Sequence, residues 1–214
     1  MLEKRNVWLP VVLMVVFAII FAITRWPGLM PPNFSAAYAL VFCAGVYFRN
    51  RHGWWVPLVI MAITDLLLNR YYGVTPQWYQ LGGYVAYVAM IALGRLFKPG
   101  HSMLRLVGGG ALAGLIFYLI TNTAAWFFNP FGNPEYTRTL GGLLIALTKG
   151  AGSWPQTWEF FRNTLLSSGL FTALFAAAMK VSEHLESAAE KKAANATSES
   201  EAPDGEPQPE ESKA

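Results

Sequence analysis

Asp65 is the one aspartate in the long apolar body of this chain, within the stretch ITDLLLNRYYG. A carboxylate in an apolar helix costs about 3 kcal/mol unless it is paired or faces water, so its presence asks for a reason. Asn69 follows four residues later and shares its helical face. The same spacing joins Asn122 to Trp126 in LITNTAAWFF, and Glu159 to Asn163 in WEFFRNT. Three chemistries suit such a set. Asp65 can tie two helices through an ion pair, orient a polar or cationic ligand group held by neighbouring amides, or act with Glu159 as a general acid or base. Arg70 is five residues on and points well round the helix, so the partner is sought on another segment, at Arg138 or Arg162.

Several chemistries are excluded at this stage. No Gly-rich loop carrying a lysine is present to cradle a nucleotide phosphate. His52, His101 and His184 stand apart from one another and from any cysteine or carboxylate at ligand spacing, so no metal site is expected. Neither a Gly-x-Ser-x-Gly nor a His-Glu-x-x-His pattern occurs. The single cysteine, Cys43, lies in an apolar run and reads as a small buried hydrophobe. No catalytic residues and no cofactor are therefore assigned.

The elements that must position these residues follow from composition. Of the 214 residues 54% are hydrophobic and 14% charged, the signature of an integral membrane protein. Six apolar stretches emerge, approximately Val7–Thr24, Phe34–Phe48, Trp54–Leu68, Gly82–Phe97, Leu106–Phe128 and Phe160–Val181. Several fall short of the ~20 residues of a lipid-exposed span, so their helices are expected to extend into the flanks. The second is rich in small residues and is expected inside the bundle. With the N-terminus in the cytoplasm, eleven Lys and Arg fall on the inner side and five on the outer, which by the positive-inside rule places both termini in the cytoplasm. The basic residues flank apolar runs and form no nucleic-acid patch. From Lys180 onward nine acids meet four lysines, and residues 187–214 lack aromatics and apolar periodicity. That tail is expected to be disordered, leaving residues 1–186 as the folded domain.

This topology brings polar groups from four segments to one depth near the outer surface: Asn33, Asp65 with Asn69, Asn122 with Trp126, and Trp158, Glu159, Arg162 and Asn163. Between the fifth and sixth stretches, Leu140, Leu143, Leu144 and Leu147 have helical spacing and Gly150 offers a stop, predicting a short interfacial helix. The segment from Tyr136 to Lys149 would then lie over the site as a lid. SWPQTWEF reads as the start of the last helix, with Ser153 as N-cap and Gln156 completing a capping box. Aromatic residues lean to the outer half, as both a membrane belt and a ring-lined pocket require. Asn33, Asp65, Asn69, Asn122, Trp126, Tyr136, Trp158, Glu159, Arg162 and Asn163 form the candidate ligand-binding set.

The segments PPNFSAAYALVFCAGVYF, VPLVIMAITDLLLN, LITNTAAWF, YTRTLGGLLIAL and FFRNTLLSSGLFTALF resemble, in order and rough spacing, an uncharacterised bacterial family of six-helix membrane proteins. That family in turn resembles the substrate-binding S-components of energy-coupling-factor vitamin transporters. The resemblance implies an all-α bundle of six transmembrane helices in the bacterial inner membrane. It also implies capture of a vitamin-like molecule from outside, with delivery through a partner transmembrane subunit and two ATPases. Small residues in the first helix of S-components help contact that partner, a place Ala18 and Ala22 would take. A small-molecule binding or uptake component is the leading expectation. The alternative is a non-transporting scaffold or assembly subunit whose polar cluster is structural, and a third reading is an intramembrane enzyme.

Overall fold

A computed structural model of the chain describes residues 8–48, 52–152 and 154–200. Among them are seven α-helices and no strand: α1 (Trp8–Arg25), α2 (Ala37–Tyr47), α3 (Val56–Tyr72), α4 (Leu81–Gly94), α5 (Met103–Phe128), α6 (Leu140–Thr148) and α7 (Thr157–Ser200). Short 3-10 turns at His52–Trp55 and Trp78–Gln80 lead into α3 and α4. The all-α class expected from the sequence is what the chain adopts. Two helices, α5 and α7, are long and apolar enough to cross a bilayer, which points to membrane association.

The helix ends follow local chemistry. Pro57 sits in the first turn of α3, where its missing N–H leaves no bond unmade. Gly73 closes α3 in the left-handed region (φ 64°), with its N–H on the carbonyl of Arg70 and that of Val74 on the carbonyl of Asn69. The Ser102 hydroxyl caps α5 by accepting from the backbone N–H of Arg105 at 3.3 Å. Gly150, expected as a stop, takes φ 77° and bonds back to the carbonyl of Ile145 at 2.8 Å.

At the centre is α2. Every residue from Ser35 to Val46 is buried, because α1, α3, α4, α5 and α7 all pack on it. Such enclosure needs close approach, and glycine supplies it. A β-carbon on Gly45 of α2 would overlap the carbonyl oxygen of Ile91, and one on Gly94 of α4 that of Phe42, so these two backbones touch. On α5, Gly110 and Gly114 form a Gly-x-x-x-Gly seat for Thr172 and Ser168 of α7. The Ser168 hydroxyl donates to the carbonyl of Gly110 at 2.5 Å. Small residues at crossings and hydroxyls between helices are the packing mode of membrane bundles.

Three boundaries depart from the sequence reading. First, α7 begins at Thr157, four residues after the proposed cap; Ser153 itself lies outside the described residues. Thr157 is buried against Gly150, and the Glu159 N–H bonds the carbonyl of Gln156 at 2.9 Å, so the helix starts where it docks on the end of α6. Second, α7 continues to Ser200, past Val181 where the sixth apolar stretch ends. The run ESAAEKKAANA is dense in Ala, Glu and Lys, whose helix propensity needs no apolar face. Residues 201–214 lie outside the described part. Third, α2 spans 11 residues, within its apolar stretch, and α4 spans 14, starting one residue before its stretch and stopping at Gly94, short of Phe97.

The backbone contact between α2 and α4 is testable. Gly94→Ala should destabilise the protein by about 1–3 kcal/mol through overpacking. Gly108→Ala meets nothing within 4 Å and should be neutral or stabilise by about 0.5–1 kcal/mol. Thermal unfolding of both variants in detergent would check the contrast; equal behaviour would rule out the crossing.

Candidate functional site

Asp65, on α3, pairs with Arg25 in the last turn of α1. Among the described residues this is the only ion pair. Arg25 Nη2 donates to Asp65 Oδ1, while Nη1 donates to the Thr64 hydroxyl at 2.8 Å and to the Met61 sulfur at 3.1 Å. The Tyr84 hydroxyl, from α4, donates to Asp65 Oδ2 at 2.8 Å. The two charged side chains are 21% and 19% exposed, so water can do little of this work. Both carboxylate oxygens are thus occupied, and three helices meet at one carboxylate.

The partner proposed from sequence is corrected. Arg162 lies over the ring of Trp158 at 5.5 Å and Arg138 over Phe127 at 4.7 Å. Neither reaches Asp65, because a cation beside an available ring face gains an attraction without crossing the bundle. Helical spacing does not select Arg25, although one signal in the sequence marks it. It is the one cation at the end of the first apolar stretch, on the same side as Asp65 by the topology argument.

Other candidates are also engaged. Asn69 exchanges hydrogen bonds with Gln80, at 2.9 Å and 3.4 Å, fixing the end of α3 to the start of α4. Asn122 donates to the carbonyl of Tyr118, one turn earlier, at 2.8 Å. Trp126 Nε1 donates to the carbonyl of Thr137 at 2.7 Å, and Asn163 to that of Pro32 at 2.9 Å. Trp158 Nε1 donates to Gln156 at 2.6 Å. Glu159 is half-buried and makes no ion pair among the described residues.

A cavity of about 500 Å³ opens beside the ion pair. Its walls come from the α1–α2 connection, α2, α3, α4, α5 and the segment entering α7. Tyr38, Tyr72, Tyr87, Phe117, Trp154 and Phe160 supply its rings. Arg25 and Asn33 line it too, Asn33 from a left-handed backbone position (φ 59°). A second cavity, of about 130 Å³, shares Trp154, Pro155 and Phe160 with the first and adds Asn122 and Tyr136. Asn33, Asn122 and Tyr136 therefore line these open cavities. Asp65 stands behind Arg25, and Asn69, Trp126, Trp158, Glu159, Arg162 and Asn163 lie outside both walls.

The segment from Tyr136 to Lys149 is strapped down. Trp126 holds Thr137, the Tyr118 hydroxyl donates to the carbonyl of Leu147, and Glu135 Oε1 accepts from the Gly152 N–H at 3.2 Å. Burial, and secondarily the nearby Glu135, raises the Tyr136 pKa; burial, and secondarily Asp65, raises that of Tyr79. Both phenols keep their protons at neutral pH and can donate into the smaller cavity they line.

The site is an aromatic chamber with one guanidinium in its wall, in an all-α protein with two helices able to cross a membrane. The chain belongs to a family of unknown function, DUF6580, whose sequence profile matches residues 3–191. No curated protein gives a significant match, and no solved structure does.

Arg25→Met alone leaves Asp65 buried without its cation and should cost about 3 kcal/mol. The double variant Arg25→Met with Asp65→Leu should recover most of that loss. Midpoints of thermal unfolding for the three variants, each single and the double, would read the coupling directly.

Proposed function

We propose that this protein is a six-span membrane bundle that binds a small, vitamin-like organic molecule in the aromatic cavity for uptake, without catalysis of its own. The observation carrying this reading is the cavity itself. A volume of about 500 Å³, walled by rings with a few fixed polar groups, has the size and chemistry of small-molecule sites.

The membrane setting is supported by the surface. Val85 and Val88 on α4, Leu112 and Leu119 on α5, and Leu166, Leu170 and Leu174 on α7 are all exposed. Apolar exposure on this scale is rare on a water-soluble monomer. In the proposed arrangement α1 to α5 and α7 are the spans, and α6 is an interfacial element over the cavity. The charge count argues for cytoplasmic termini in a bacterial inner membrane, so the cavity faces outward. The likeness to S-components rests on six short helices, small size and an outer-facing site, and points to a transmembrane coupling subunit and its ATPases as partners.

A second reading has its own observation. Asp65, Asn69, Asn122 and Asn163 are each engaged within the protein, as expected of a scaffold whose polar groups tie helices together.

Mass spectrometry of small molecules released from the purified full chain separates the two. Trp154 lines both cavities yet is 63% exposed, so Trp154→Ala should leave the fold intact. A stoichiometric compound present in the wild type and lost in Trp154→Ala, at unchanged thermal stability, is the expected result. A folded wild type that carries nothing, even after exposure to a cell extract, would favour the scaffold.

A further inference from the structure

The charge pattern of the cavity walls says more about an occupant than their shape does. Among the described residues, Arg25 is the only one charged at neutral pH in the wall of the larger cavity, and the smaller cavity has none. Asp65 is outside the wall and accepts from Arg25 and Tyr84. A cationic occupant would therefore meet a guanidinium and no carboxylate in the wall among the described residues, contrary to the cationic group that Asp65 alone suggests.

Arg25 also keeps hydrogen-bonding capacity. A guanidinium carries five N–H donors. Nη1 bonds Thr64 and Met61, and one bond leaves Nη2 for Asp65. The Nε–H and the second Nη2 hydrogen have no partner among the described residues. Two free donors on a guanidinium are the natural complement of a carboxylate or comparable acceptor. Around it, Trp26, Tyr72, Tyr87, Phe117, Trp154 and Phe160 supply rings, and Met30, Leu68 and four prolines complete the apolar wall. Aromatic packing favours flat rings in offset or edge-to-face contact.

We propose that the cavity selects a planar aromatic molecule bearing one acidic or strongly accepting group, with that group on Arg25 and the ring system among the aromatic side chains. The proposal rests on the cavity being a ligand site, as argued above. Selectivity follows from the unshared donors. A carboxylate satisfies both, a neutral amide satisfies them less strongly, and an ammonium satisfies neither and is repelled.

Equilibrium dialysis of the full chain in detergent against 2-naphthoate, 2-naphthamide and 2-naphthylmethylamine, into the millimolar range, tests the selectivity with one ring system. Binding of naphthoate about tenfold tighter than the amine, with the amide between, is expected from a charge-assisted bond. The double variant Arg25→Met with Asp65→Leu removes the charges without stranding either one. It should keep amide binding and lose the advantage of the acid. Equal binding of all three probes by the wild type, abolished by Trp154→Ala, would overturn the acidic-ligand assignment while leaving the cavity as a ligand site. Failure of the folded wild type to bind any of them would overturn both.

Discussion

Where α2 crosses α4, no side chain separates the two backbones, and most of the architecture follows from that contact. Gly45 and Gly94 let the helices touch, and α2 can then be walled in by five neighbours. On the far flank, Gly110 and Gly114 do the same for α5 against α7. Dispersion contacts between closely approaching backbones are a source of cohesion that does not depend on water, so they serve where lipid rather than water surrounds the protein. The same rule explains the cavity. On α2 the glycine contact, at Gly45, lies toward one end, whereas Tyr38 lines the cavity from the other. Rings cannot close a gap as a hydrogen atom can, and the space they hold open is the chamber.

The polar residues divide the labour with those rings. Asp65, Asn69 and Asn163 join α1, α3, α4, α7 and the α1–α2 connection to one another. Each bond satisfies a group that would otherwise be costly to bury. The chamber is thus framed by polar ties but surfaced mainly with aromatics, and Arg25 belongs to both sets. Its guanidinium is fixed on one side by Thr64 and Asp65 and borders the chamber on the other. A group held by protein contacts keeps its orientation without the entropy cost of ordering it on binding.

Much of this was legible in the sequence because it depends on neighbours along the chain. Helix character, the short α6 with its Gly150 stop and the interior placement of α2 follow from periodicity and residue size. What depended on pairing across the fold was harder to see. Arg25 and Asp65 are forty residues apart, and spacing rules reach only one turn. The same limit explains why ten candidates read as one polar cluster resolve into ties and a wall. The extension of α7 past Val181 carries a different signal, since Ala, Glu and Lys favour a helix without the apolar period that marks the sixth stretch.

At 44 residues, α7 is about 66 Å long at the usual rise of 1.5 Å per residue. Its first turns carry Phe160 into the chamber wall, and its last lie far beyond the opposite end of the bundle. A continuous helix has no proline or glycine joint after Gly169 to absorb a change of angle. The chamber wall and the far tip therefore belong to one uninterrupted helix, and its longer arm lies beyond the Gly110–Gly114 seat.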